Sequence, residues 1–110
     1  MEIESTPSGA KGVVKLTGRM DAQSATEFEQ ACESWLAQGV SELVVDLAGL
    51  RYISSMGLRS FIVIGQKCTE KGGALRLCSL SGLVRQVFEI THIISLFPIY
   101  DSVDAALAAA

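Results

Sequence analysis

The chain has 110 residues, of which 49% are hydrophobic and 19% are charged, and its formal net charge is −3. These values predict one globular domain over residues 1–110, because the length suits a single core and the composition is too apolar for a disordered chain. The acidic balance and the lack of a lysine or arginine run argue against a nucleic-acid partner, which would need a basic face.

The sequence also bears on location and redox chemistry. No apolar run approaches the length of a membrane span, and the acidic N-terminus lacks the pattern of a signal peptide. We therefore expect no membrane span and a cytoplasmic protein. The cysteines, Cys32, Cys68 and Cys78, are odd in number and lack CxxC spacing. They predict buried free thiols rather than a disulfide framework or a metal site.

The first part of the chain passes from strand-like to helix-like periodicity. Val13–Leu16 predicts a strand, and the segment MEIES is expected to pair with it as a hairpin across TPSGAKG. A helix follows, and Gly39 ends it. Its predicted buried stripe is Ala25, Phe28, Cys32, Trp35 and Leu36. Either Asp21 or Ser24 would cap the start of this helix, the latter in a capping box with Glu27.

The rest of the chain repeats the alternation. The apolar run SELVVDL predicts a central strand covered on both faces. A second helix is expected over Gly57–Lys71, a strand in ALRLCSL and a third helix with a stripe from Leu83 to Phe88. Pro98 in LFPIY indicates a short edge strand. Asp101 or Ser102 would cap a final helix.

This order of elements predicts an α/β fold with a mixed, mostly parallel sheet of four to five strands and about four packed helices. Flavodoxin-like and other small α/β folds share the same rhythm of strands and helices. The fold class therefore does not by itself indicate a function.

No group of residues typical of a catalytic or cofactor site is found. His92 stands without neighbours at metal-ligand spacing, and no glycine-rich phosphate loop occurs. Asp21 and Asp46 match the acidic set of a response regulator poorly, and Ser55 lacks the leading glycine of the serine-hydrolase motif. We therefore predict no catalytic residues, no cofactor and no metal, and an enzyme of flavodoxin-like fold is disfavoured.

The segment RYISSMGLRSF places Ser54 and Ser55 where a strand-like stretch gives way to a helix. Position alone favours a plain structural role for Ser55, as the cap that accepts a hydrogen bond from an early helical N–H. The same position suits a phosphorylation site, because the positive end of the helix dipole tolerates an added phosphate.

Three segments together resemble a known family. They are VVKLTGRMDAQSA, LVVDLAGLRYISSMGLRSF and GGALRLCSLSGLVRQVFEITHI. The first is similar to a strand followed by an LxGxLD motif, and the second to a strand, a loop and a D-S-x-G-L motif before a helix. The chain thus resembles the STAS domain family, and within it the free-standing bacterial anti-sigma factor antagonists.

The resemblance implies a phosphorylation-controlled switch without enzymatic activity. Aligning Gly57 and Leu58 with the motif places the phosphoacceptor at Ser55, with Ser54 at the usually acidic position and as the alternative acceptor. The implied partners are an anti-sigma factor serine kinase of the histidine-kinase-like ATPase fold, which binds the ATP, and a PPM-type serine phosphatase. The alternative is a ligand- or nucleotide-binding STAS module, or a subunit of a transport complex, without kinase switching.

The expected partner-binding residues are Asp21, Ser54, Ser55, Met56, Gly57 and Arg59. Both loops follow strands, so Gly18–Ser24 and Ser54–Arg59 are expected to share one rim of the sheet, where sites of α/β folds gather. On the second helix, Arg59 and Ser60 would then face the partner. Leu58, Phe61 and Ile62 would lie in the core.

Overall fold

The computed structural model describes residues 1–109, which form five strands, four α-helices and one short 3-10 helix. The strands are β1 (Glu2–Ser8), β2 (Lys11–Met20), β3 (Glu42–Ile53), β4 (Ala74–Cys78) and β5 (Ile99–Tyr100). The α-helices are α1 (Ala22–Ala37), α2 (Ser55–Glu70), α3 (Gly82–Ile90) and α4 (Val103–Ala108), and the 3-10 helix is Ile93–Leu96.

The five strands form one sheet in the order β1-β2-β3-β4-β5. The pair β1–β2 is antiparallel, and the other three pairs are parallel. The predicted fold class and the N-terminal hairpin are therefore confirmed. The hairpin turn is shorter than expected, because the strands extend to Ser8 and from Lys11 and leave only Gly9 and Ala10 between them.

Strand β3 is longer than the resemblance implied. We expected a loop after the apolar run, but the strand continues to Ile53. Its pairing with β2 shifts twice, and β3 holds one extra residue at each shift. Buried side chains in this half of β3 therefore recur every third residue, at Leu47, Leu50 and Ile53, instead of every second. A search for strict alternation does not detect such a strand.

The sheet is covered on both faces, as predicted for the central strand. Adjacent residues of β3 lie in different hydrophobic clusters, Val45 in the large one with α1, α2 and α3, and Val44 in a small one with α4. In the large cluster the rings of Phe28 and Phe61 stack at 4.7 Å, and Phe88 meets Phe61 edge-on at 5.6 Å. These contacts fix α1, α2 and α3 on one face.

The cysteine prediction is also confirmed. All three cysteines are buried and form no disulfide. Burial raises the pKa of Cys68 and of Cys78 to about 11, so both thiols stay protonated near neutral pH.

Two smaller predictions fail. Leu83, expected on the buried stripe of the third helix, is exposed, and Ile62 on the second helix is only half-buried. Of the two candidate caps for the last helix, Ser102 is the one used, and its hydroxyl accepts from the N–H of Ala105. Among residues 1–109, no helix combines the length and the apolar character that crossing a membrane requires.

Candidate functional site

The two loops expected to share a rim do lie side by side. Strands β2 and β3 run parallel, and their last paired residues are Met20 and Ile53. The next residues along the chain, Asp21 and Ser54, each cap a helix. The N–H of Ser54 donates to the carbonyl of Met20 at 2.9 Å. The starts of α1 and α2 are thereby joined at one end of the sheet, which we call the switch rim.

Asp21 is the cap of α1, not Ser24. Its carboxylate accepts a hydrogen bond of 2.9 Å from the N–H of Ser24, which lies buried inside the first turn. The predicted capping box of Ser24 with Glu27 is therefore wrong, since a cap residue precedes the helix. Hydrogen bonds from the backbone and then the side chain of Ser24 hold the pKa of Asp21 below its ordinary value. Asp21 is exposed and thus presents a carboxylate at the rim.

The two serines of the motif have different surroundings. Ser54 is half-buried, and its hydroxyl accepts from the N–H of Gly57 at 3.1 Å. Ser55 is the first residue of α2 and is exposed, and its hydroxyl bonds to none of the residues 1–109. The capping role considered for Ser55 thus belongs to Ser54. The hydroxyl of Ser55 is exposed and is not used in capping the helix.

Gly57 supports the rim from beneath. A Cβ atom at this position would lie 2.7 Å from the sulfur of Met20 and 2.8 Å from the Cγ1 of Ile53. Only glycine lets α2 begin this close to the sheet. Because Gly57 is buried, we revise its predicted role from a partner contact to a packing residue.

The exposed surface of the first turns of α2 is narrower than predicted. Met56 and Arg59 are exposed, as expected. Ser60 is buried, so the prediction that it faces the partner is wrong. Its hydroxyl donates to the carboxylate of Glu29 on α1 at 2.6 Å, which turns this side of α2 toward α1. Leu58 and Phe61 are buried, as expected.

Sequence reasoning missed two contacts near the rim. One is the bond between Ser60 and Glu29. The other is Arg19, whose guanidinium carbon lies 4.2 Å from the ring centroid of Tyr52 one residue before the strand ends. Both join residues far apart in the chain, so no local pattern could have found them.

A groove of about 690 Å³ lies away from the rim. One wall is the C-terminal half of α2, and the other is the segment around Phe97 and Pro98. None of the predicted site residues lines it.

Comparison with known proteins identifies the family. The profile of the STAS domain matches residues 2–106. This chain belongs to the STAS domain family. The resemblance inferred from the sequence is therefore confirmed, and the STAS match spans all five strands and three of the four α-helices in full.

Several relatives of this STAS domain are named as anti-sigma factor antagonists. BtrV of Bordetella bronchiseptica, a candidate anti-sigma factor antagonist, is 37% identical over 94 residues, which are 86% of this chain and 81% of BtrV. An anti-sigma factor antagonist from Mycobacterium paratuberculosis has a similar crystal structure, with a TM-score of 0.85 at 24% identity over 96% of this chain and 90% of that one. The phosphorylated form of the Bacillus cell fate determinant SpoIIAA has a TM-score of 0.77 at 15% identity, with 96% of each chain covered.

Proposed function

We propose that this STAS domain is an anti-sigma factor antagonist that works as a phosphorylation-controlled binding switch. The names of its relatives support the regulatory function. In this proposal the unphosphorylated protein sequesters an anti-sigma factor in the bacterial cytoplasm, where sigma factors act, and so releases a sigma factor or another effector. The protein itself catalyses nothing.

The main structural support for this switch is the hydroxyl of Ser55, which forms no hydrogen bond to residues 1–109. It is exposed at the switch rim, while the neighbouring hydroxyl of Ser54 is occupied as a helix cap. A kinase must reach the acceptor oxygen and remove its proton. The hydroxyl of Ser55 is exposed to a kinase, and its proton is not held by a hydrogen bond to any of the residues 1–109. Ser54 is less suited as the acceptor, because its side chain is half-buried and its oxygen already accepts from the N–H of Gly57.

The kinase in this proposal is the anti-sigma factor itself, a serine kinase with the ATPase fold of histidine kinases. The Ser55 oxygen attacks the γ-phosphorus of the ATP that the kinase holds, and the bond to the β-phosphate oxygen breaks as ADP leaves. The hydroxyl proton passes to a base on the kinase. A PPM-type phosphatase hydrolyses the phosphoserine and resets the switch.

Phosphorylation would release the partner for an electrostatic reason. A phosphate adds a charge of roughly −1.5 to −2 near neutral pH. At the first residue of α2 the helix dipole tolerates this charge, so the fold persists. An interface that closes over Ser55 must instead bury the dianion, which costs several kcal/mol unless cations pair with it. The affinity then falls by orders of magnitude.

Asp21, Met56 and Arg59 form the exposed surface beside Ser55 and are the proposed docking contacts. Amide hydrogen exchange with the kinase present should show protection at Gly18–Ser24 and Ser54–Arg59. Protection confined to the opposite end of the sheet or to α4 would show that this surface is misplaced.

The decisive experiment uses the cognate serine kinase, sought among proteins of the same genome that have the ATPase fold of histidine kinases. Incubation with ATP, followed by fragment mass spectrometry, should find one phosphate on Ser55 in the wild type and in Ser54→Ala. Ser55→Ala should bind the kinase but resist release, and Ser55→Asp should bind more weakly than wild type. A phosphate on Ser54, or none on either serine, would contradict the proposal.

A further inference from the structure

Arg59 has no partner within the part of the chain that the structure describes, residues 1–109. Its guanidinium makes no ion pair and no hydrogen bond there, and the side chain is exposed. Two other arginines, Arg76 and Arg85, are instead paired with Glu42 and Glu89. Arg59 is also the only basic residue in the first two turns of α2.

Arg59 is placed one helical turn after Ser55. Both residues belong to α2, and a separation of four residues puts their side chains on one face of a helix, with Cβ atoms about 6 Å apart. Side chains on a helix also lean toward its N-terminus, so a long arginine covers the turn before its own. The guanidinium of Arg59 can therefore reach a group attached to the oxygen of Ser55.

We propose that Arg59 is the intramolecular receptor for the phosphate on Ser55. This inference rests on the proposed function and adds a regulatory step to it. In the unphosphorylated protein the guanidinium is available to the partner. In the phosphorylated protein it pairs with the phosphoserine dianion of its own chain. Phosphorylation then acts twice, since it adds negative charge at the switch rim and withdraws a cationic contact from the partner.

The carboxylates near the switch rim would repel a phosphate on Ser55, and pairing with Arg59 would offset part of this repulsion. Asp21 presents a carboxylate in the adjacent loop, and Glu29 lies behind Ser60 on α1. A dianion on Ser55 adds to this negative field. An arginine on the same helix offsets part of the repulsion without requiring a second protein.

The test uses phosphoserine inserted at position 55 during translation, so no kinase takes part. Phosphorus NMR titration then measures the second pKa of the phosphoserine, which is about 6 without a partner. Pairing with a cation favours the dianion and lowers this pKa. Arg59→Gln is expected to raise it by about 0.3 to 0.7 relative to wild type, the size of an exposed ion pair. Arg59→Lys keeps the charge and should remain nearer to wild type.

Arg51 provides a matched control. It is an exposed arginine, also four residues from Ser55, but on strand β3 instead of the helix. The strand ends at Ile53, so Arg51 does not lie one helical turn from Ser55, and Arg51→Gln should change the phosphoserine pKa less than Arg59→Gln does. An unchanged pKa in Arg59→Gln, or an equal rise in both variants, would overturn the pairing. If the pairing is found but no kinase modifies Ser55, the proposed function fails and the ion pair stands.

Discussion

The hydroxyl of Ser60 on α2 donates a hydrogen bond to the carboxylate of Glu29 on α1, across 2.6 Å and 31 positions of sequence. The same hydroxyl lies 3.4 Å from the carbonyl of Ala25 and 3.1 Å from that of Met56. Met56 belongs to the first turn of α2, next to Ser55. This bond therefore orients the start of α2, and with it the switch rim, against α1.

We expect Ser60→Ala to lower the free energy of unfolding by about 1 to 2 kcal/mol, because a hydrogen bond to a charged group is lost and its partner remains half-buried. Urea denaturation measures the change. Glu29→Gln should lose part of the same energy, whereas Glu27→Gln, an exposed change on the same helix, should have little effect. Equal effects at Glu27 and Glu29 would mean that the bond contributes nothing.

Gly57→Ala should destabilise the protein by about 1 to 3 kcal/mol, since the added methyl group overlaps side chains that cannot move freely. The sulfur of Met20 and the Cγ1 of Ile53 would lie 2.7 and 2.8 Å away, and both residues are buried. Chemical denaturation is the measurement, with Met56→Ala as the exposed neighbouring control. A Gly57→Ala protein as stable as wild type would show that α2 can lift from the sheet.

Alanine substitutions at the two motif serines should differ in their effect on stability, because only Ser54 caps α2. Ser54→Ala removes the cap of α2 and should cost about 1 kcal/mol, while Ser55→Ala should change stability by less than about 0.5 kcal/mol. Thermal unfolding of the two variants tests this directly. The capping assignment is wrong if Ser55→Ala is the less stable protein.

Asp21 should make stability depend on pH. Hydrogen bonds from Ser24 lower its folded pKa, so its contribution is present above the unfolded pKa of about 4 and is lost as pH falls through the folded value. Wild type should therefore exceed Asp21→Ala in melting temperature at pH 7, and the gap should be smaller at a pH below the unfolded value of about 4. Thermal scans at both pH values measure the gap. A gap that does not change with pH would assign it to something other than the charged cap.

Much of the architecture could be predicted because its signals are local. The alternation of strand and helix patterns indicated a mostly parallel sheet. The number and spacing of the cysteines indicated free thiols, and free cysteines are usually buried. The starts of α2, α3 and α4 were predicted to within two residues, and that of α1 was left open between caps at Asp21 and Ser24. Such caps act on N–H groups three residues later and therefore leave a local signal. The motif around Ser55 could also be recognised in the sequence, because its residues are consecutive.

Only the tertiary structure decided how the rim is built. The choice between Ser54 and Ser55 as cap depends on where α2 begins, and Gly57 is explained by the side chains of Met20 and Ile53 beneath it. The extra residues in β3 can be identified only from its pairing with β2. Ser60 is buried because that side of α2 packs against α1, where Glu29 accepts its hydrogen bond. Each of these depends on contacts between distant segments, and local periodicity and capping patterns carry no information about such contacts.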